Sequence, residues 1–480
     1  MVFFTAWFAV FFGIVLVLYW TIARGSALRQ NIILFLAGTF FYGWLDLRFL
    51  GLMLGSGLLN FVLARGIDAA PTDRQRRLLF WCGIGINLAA LAYFKYFEFF
   101  VNSMLDVLGL FGIGHAPLHL GLLLPLGISF YTFRMLGYLI DVNNGTTEAN
   151  KRPLEFMAYT VHFPLILAGP VERAPRFLAR IAKARVFDPA MAHDAGRQLL
   201  WGLFAKVALA DNLAPLVDEI HADPHNAGAS TLALGAMLYV VQLLADFSGY
   251  SNMAIGLSKL LGVPLGINFR YPLFAVNISD FWQRWHISLT SWMMDYLFTP
   301  ISFVLRDHGK RGLLIAIVAT FMAVGIWHGA NWTYVVFGAI QSLLFVPVVL
   351  RSTVARPPDH ASGPWHLPPT RALRMLAMFL LTSFNFVLLR ANDMDAAWVY
   401  WTGLFSTSLF RMPEIPLLTT APLLLVFFSL EWYGQRHEHA LSQLGMRWPT
   451  LLRWCMYAGL MLLITLSLPT EETAFIYIRF

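Results

Sequence analysis

Long apolar stretches alternate with short polar connections along the whole chain. They cover residues 3–22, 31–45, 48–64, 78–100, 119–140, 154–170, 197–217, 231–261, 312–326, 330–350, 372–390, 417–433 and 451–468. A helix needs roughly 17–25 predominantly apolar residues to cross a bilayer. Several of these stretches are too short or too interrupted for a simple crossing. In Phe163-Pro164-Leu165-Ile166-Leu167-Ala168-Gly169-Pro170, prolines flank a glycine-containing apolar core. That pattern predicts a re-entrant or broken helix, which membranes tolerate only where protein or cavity water surrounds the backbone. The expectation is an all-α polytopic membrane protein of about eleven transmembrane helices plus embedded segments.

The tract from Arg356-Pro357-Pro358-Asp359 to Pro368-Pro369 is the clearest linker, spanning 352–370, with a helical region at 371–480 beyond it. No repeat of fixed period and no soluble domain is visible, so 1–480 reads as one membrane domain with its main motifs between 120 and 350. The first apolar run lacks a basic flank and a small-residue cleavage site, so it reads as a retained span rather than a signal peptide.

Composition agrees with this picture. Hydrophobic residues make up 58% of the chain and charged residues 13%, against roughly 45–50% and 25% in soluble domains. Such a chain cannot supply the charged surface of a soluble protein of this size. Its 34 Lys+Arg against 27 Asp+Glu give a net charge of +7. The basic residues cluster between apolar runs, at Arg65–Arg77, Arg173–Arg185 and Lys310-Arg311. That is the signature of cytoplasmic loops touching anionic membrane lipids, and it excludes a nucleic-acid-binding role. The two cysteines, Cys82 and Cys455, sit in apolar stretches and form neither a disulfide framework nor a metal motif.

Three segments carry candidate chemistry. Gly325-Ile326-Trp327-His328-Gly329-Ala330-Asn331-Trp332 places an imidazole in an otherwise uncharged apolar region. Ionisable groups at membrane depth are costly and usually functional, and histidine costs least because its neutral form is accessible near pH 7. His328 is the strongest candidate for proton transfer. Gly325 and Gly329 would admit a neighbouring helix, and Asn331 and Trp332 stand at i+3 and i+4 to assist the ring. The segment from Asp280 to Tyr296 predicts an amphipathic helix, with Trp282, His286, Leu289 and Met293 on one face. Asp280 and Arg284 form an i,i+4 acid–base pair on another. Asp246-Phe247-Ser248-Gly249-Tyr250-Ser251-Asn252 is a polar knot in an apolar run, where Asp246 needs a basic partner such as Arg284 or Arg270. The histidine pairs His115/His119 and His437/His439 lack a third ligand at a zinc-like spacing, so no metal is expected. No serine-hydrolase elbow, HExxH motif or phosphate loop is present.

In order and spacing, several segments resemble the membrane-bound O-acyltransferase family, nearest its alginate O-acetylation branch. They include Gln30-Asn31 to Phe41-Tyr42, Arg48-Phe49-Leu50, Tyr93 to Phe97, Pro125 to Phe133, Tyr138 to Val142, Phe163-Pro164 with Ala168-Gly169-Pro170, Asp246 to Tyr250, Asp280 to His286, Trp327-His328-Gly329 and the aromatic end Phe475 to Phe480. The resemblance implies a helical fold with a tunnel, with His328 as catalytic residue and His286 as second site residue. Trp327, Asn331, Asp280, Arg284, Asp246 and Ser248 then stand as supporting or tunnel-lining residues.

It also implies acetyl transfer from acetyl-CoA, with no tightly bound cofactor, toward an exported polysaccharide at the bacterial inner membrane, aided by an extracytoplasmic acetyltransferase partner. The pattern departs after Tyr296, where Pro300-Ile301-Ser302-Phe303 replaces the family's usual proline-glycine-glycine-asparagine turn. Two alternatives stand beside this expectation. One is D-alanyl or other acyl transfer from a carrier-protein thioester. The other is a proton-coupled transporter or flippase, although the paired halves common in transporters are absent.

Overall fold

The computed structural model describes residues 3–112, 116, 118–167, 169–351, 367–416, 418 and 420–468, and every regular element among them is helical. Seven helices are long and apolar enough to cross a membrane: Leu47–Asp68, Asp73–Gly109, Pro189–Ala222, Ala229–Leu260, Arg306–His328, Trp332–Leu350 and Pro369–Arg390. Three shorter apolar helices, Ala6–Trp20, Ala421–Gly434 and Thr450–Leu466, accompany them. The all-α membrane architecture is therefore as expected. His115, Pro117, Ala168, the linker tract 352–366 and the aromatic end 475–480 lie outside the described residues.

The chain forms two compact units, residues 1–189 with 258–265, and residues 190–257 with 266–480. The first contains α1 (Ala6–Trp20), α2 (Ala27–Leu45), α3 (Leu47–Asp68) and α4 (Asp73–Leu91). A π-turn, Ala92–Tyr96, carries α4 into α5 (Phe97–Gly109). Then follow α6 (Ile128–Asn143), α7 (Pro153–Thr160), α8 (Phe163–Ile166) and α9 (Ala174–Ile181). Helices α3, α4 and α6 pack mutually, and α7 lies on α2 and α3. Asn60 and Asn87 tie α3 to α4 by reciprocal amide hydrogen bonds of 3.1 and 2.8 Å. Such pairing satisfies polar groups that would be costly if left unmet inside an apolar bundle.

The two-proline segment folds as the four-residue α8, fully buried. The apolar stretch at 119–140 becomes helical only from Ile128. Gly127 stands before it at φ +71°, against the carbonyl of Ile166, where a side chain would collide. Large apolar side chains such as Trp7, Val17, Leu78 and Trp81 project outward, as a lipid-facing surface requires and a water-facing one disfavours.

The second unit holds α10 (Pro189–Leu203), a π-turn Phe204–Ala210 and α11 (Asp211–Ala222). Next come α12 (Ala229–Leu260), α13 (Ile278–Arg284), α14 (Ile287–Met293), α15 (Thr299–Val304), α16 (Gly309–His328) and α17 (Trp332–Leu350). The unit closes with α18 (Pro369–Arg390), α19 (Met394–Gly403), α20 (Ala421–Gly434) and α21 (Thr450–Leu466). Helix α12 is predominantly apolar and mostly buried, the mark of a central helix. Where α10 passes α12, Gly202 and Gly249 leave no room for a side chain: a Cβ on Gly249 would lie 2.9 Å from the Gly202 carbonyl oxygen. Helices α16 and α17 form an antiparallel hairpin in which Gly325 meets the backbone of Tyr334 and Gly338 meets that of Phe321. At the other end Lys310 Nζ donates to the Leu350 carbonyl at 2.7 Å.

Candidate active site

The expected single helix from Asp280 to Tyr296 is broken. Asn277 caps α13 by accepting from Asp280 N at 2.9 Å, but the helix ends at Arg284, and α14 starts at Ile287. Between them His286 adopts a left-handed backbone, φ +43° and ψ +53°. The break is held by an extended neighbour: Arg270 N donates to Arg284 O at 2.9 Å, and Ile287 N donates to Asn268 O at 2.8 Å. A non-glycine residue in this region costs about 1–3 kcal/mol and persists where its surroundings enforce it, often at functional sites. The kink swings His286 inward, so the face predicted for Trp282, His286, Leu289 and Met293 does not exist as one stripe.

His286 is completely buried. Its ring packs on Phe247 at 4.7 Å and on Trp327 at 5.5 Å between centroids. Trp327 in turn meets the His328 ring at 5.1 Å. One indole therefore links two imidazoles that are far apart in sequence. His328 retains 5% exposure and is bounded by Phe337 at 5.8 Å and Tyr334 at 6.5 Å. His286 lies outside the long apolar helices. Burial, and then the adjacent His328, hold its pKa well below the usual histidine value, so its ring is neutral at physiological pH.

The Asp280–Arg284 pair forms as expected, with Arg284 Nε donating to Asp280 Oδ1 at 2.6 Å and both side chains buried. Asp280 Oδ2 also accepts from Val276 N at 3.0 Å, fastening α13 to the preceding loop. Trp282 Nε1 donates to Gln341 Oε1 on α17 at 3.2 Å. Trp282, Trp285 and Trp292 are all buried.

Asp246 is paired with Lys206, at 2.5 Å, a basic partner the sequence reading did not name, and the same ammonium reaches Asp211 at 2.7 Å. Lys206 lies on the π-turn, and wide turns of this kind are frequent at functional sites. Sequence inspection passed over Lys206 and Asp211, yet both stand inside the apolar stretch 197–217, where any charge is informative. Ser248 is buried on α12, and its Oγ has no hydrogen-bond partner among the described residues.

Asn331 and Trp332 do not continue the helix that carries His328, because α16 ends at His328. Asn331 caps α17 and donates from Nδ2 to Asn392 O at 2.6 Å, and Trp332 is exposed. Tyr334 and Phe337, which sequence reasoning missed, also stand beside the ring. His439 is engaged with Asp194 at 3.1 Å.

Two buried imidazoles, one on a helix break and one at a helix end, thus meet a single indole inside an all-helical unit whose long helices are apolar enough to cross a membrane. The chain belongs to the membrane-bound O-acyltransferase family, whose profile matches residues 150–390. Its relatives include a protein named "Probable alginate O-acetylase" from Azotobacter vinelandii, 35% identical over 86% of this chain and 81% of the relative. A peptidoglycan O-acetyltransferase of Helicobacter pylori is 28% identical over 76% of this chain and 71% of its own length. A teichoic acid D-alanyltransferase of Streptococcus thermophilus is 29% identical over 61% and 74%. The protein is an acyltransferase, and this replaces the transporter alternative.

Proposed function

We propose that this chain moves acetyl groups from cytoplasmic acetyl-CoA toward hydroxyls of an exported polysaccharide such as alginate, at the inner membrane of a bacterium. The observation that carries the reading is the pairing of His286 and His328 through Trp327, in a chain that matches an O-acetylase over most of both lengths. Lys310 and Arg311 begin α16 and, by the positive-inside rule, mark its cytoplasmic end. Twenty residues of helix rise about 30 Å, which sets His328 toward the extracytoplasmic side.

The unprotonated nitrogen of His328 takes the proton of the acceptor hydroxyl as its oxygen attacks the thioester carbonyl. The C–S bond breaks, and the departing thiolate recovers a proton from the imidazolium. General acid–base assistance of this kind contributes roughly 10²–10⁴-fold. His286, neutral and fixed by its enforced backbone, orients the groups or meets the charge that develops. An extracytoplasmic acetyltransferase completes delivery to the polymer.

In cells that depend on this chain, His328→Ala should remove ester-linked acetate from the surface polysaccharide while the protein still inserts. Acetate content equal to wild type would overturn the reading. The D-alanyltransferase relatives support a second donor, a carrier-protein thioester. Loss of activity on withdrawing a dedicated carrier, with no response to acetyl-CoA, would select it.

A further inference from the structure

The face of α12 that carries Asp246 also carries Gln242 and Tyr239, one and two turns earlier. All three are buried, Tyr239 to 1% exposure. The Tyr239 hydroxyl has no hydrogen-bond partner among the described residues, and neither has Gln242 Oε1. A buried hydroxyl without a partner is destabilising, and native proteins rarely keep one without a use.

The surroundings of Tyr239 indicate what it meets. It lies within electrostatic reach of Tyr334, Arg390, Asp218 and Asp246. Tyr334 is the ring beside His328. Arg390 Nη2 and Asp218 Oδ1 pair at 2.7 Å, with 24% and 44% side-chain exposure, so that end is open. His221 stands next to Tyr239, ring centroids 5.8 Å apart. Its Nδ1 lies 2.9 Å from the Val217 carbonyl and must donate to it. Nε2 is therefore left as an acceptor, and it too lacks a hydrogen-bond partner among the described residues. A donor hydroxyl and an acceptor nitrogen thus belong to two neighbouring rings, with the half-open Asp218–Arg390 pair near one end and Tyr334, the neighbour of His328, near the other.

An alcohol is the group that satisfies both, since its oxygen accepts from Tyr239 while its proton goes to His221 Nε2. We propose that Tyr239 and His221 form the site that receives the acceptor hydroxyl, entered past Asp218–Arg390, before it moves to His328. This inference rests on the acyl-transfer reading and adds the residues that select and position the alcohol. Tyr239 and His221 are positioning residues, and no proton transfer is assigned to them.

The test uses the full chain in its membrane. Tyr239→Phe removes one oxygen and keeps the ring, so the melting temperature in detergent should stay equal or rise. Ester-linked acetate on the surface polysaccharide should fall about tenfold or more, the factor expected for losing a hydrogen bond worth about 1.4 kcal/mol. Hydrolytic release of CoA from acetyl-CoA by the same membranes should remain within about twofold, because donor chemistry is untouched. His221→Gln should reproduce the split between transfer and hydrolysis, and it decides the matter if the first variant fails to accumulate. Unchanged acetate would mean that only water occupies the site, and the proposal falls. Equal loss of transfer and hydrolysis, or a lowered melting temperature in both variants, also overturns it in favour of a structural role. Failure of the parent reading shows separately, as His328→Ala retaining full acetate.

Discussion

Lys206 Nζ lies 2.5 Å from Asp246 Oδ1, with each side chain about 1% exposed. This contact joins the π-turn after α10 to the central α12, and Asp211 shares the same ammonium. An ion pair this deep gives no guarantee of net stability, but removing one partner leaves uncompensated charge and costs about 3–5 kcal/mol. Lys206→Met should therefore lower accumulation and melting temperature sharply. Asp211→Asn and Asp246→Asn added to it should restore much of the loss, since the triple variant no longer carries two carboxylates without their ammonium. A triple variant as unstable as Lys206→Met would show that packing of the lysine stem, not charge balance, sets the effect.

The α16–α17 hairpin supplies a steric prediction. A methyl group on Gly325 would run into the Tyr334 carbonyl and lie 3.1 Å from Gly338, with backbone on both counts. Overpacking of this kind costs about 1–3 kcal/mol, and here it would also shift Tyr334 and His328. Gly325→Ala should lower both thermal stability and acetyl transfer, measured by detergent melting and acetate assay. Gly85→Ala on α4, where nothing lies within 4 Å, should stay within about 0.5 kcal/mol of wild type or gain slightly from helix propensity. Matching losses in the two variants would exclude the close approach as the cause.

The depressed pKa of His286 has a pH consequence. Once unfolded, the ring regains a value near 6.5, so the unfolded chain binds more protons than the folded one as the medium acidifies. The contribution is intact above about pH 6.5 and is lost as pH falls below it, with a slope of up to about 1.4 kcal/mol per unit for one group. Melting measured from about pH 7.5 down to about pH 5.5 should show this decline, and His286→Gln should flatten it. An identical slope in the variant would assign the effect to another group.

Much of the site was already visible in the chain. His328 stood out because imidazoles are rare in apolar runs, His286 through the face drawn across Asp280–Tyr296 and the family resemblance, and Asp280–Arg284 followed from helical spacing. What misled was local continuity. Nothing in Trp285-His286-Ile287 breaks a helix, since neither glycine nor proline is present. The break is imposed by the backbone of Asn268 and Arg270, which captures Ile287 N and Arg284 O. Likewise Asn331 appeared to follow His328 on one helix, but α16 ends there and Asn331 serves as the cap of the next. Partner choice was equally opaque: nothing in the sequence pointed Lys206 to Asp246, and the passage of the π-turn across α12 brings them together.

By itself the sequence determined the solvent this protein lives in, its helical class and the titratable groups able to act, because apolar length and the cost of burying charge are local quantities. Which imidazoles share Trp327, that Lys206 lies against Asp246 and which buried polar atoms on α11 and α12 lack a hydrogen-bond partner among the described residues were decided only by tertiary structure. Those are distances between segments remote in the chain, set by backbone contacts and side-chain packing that no single stretch of residues encodes.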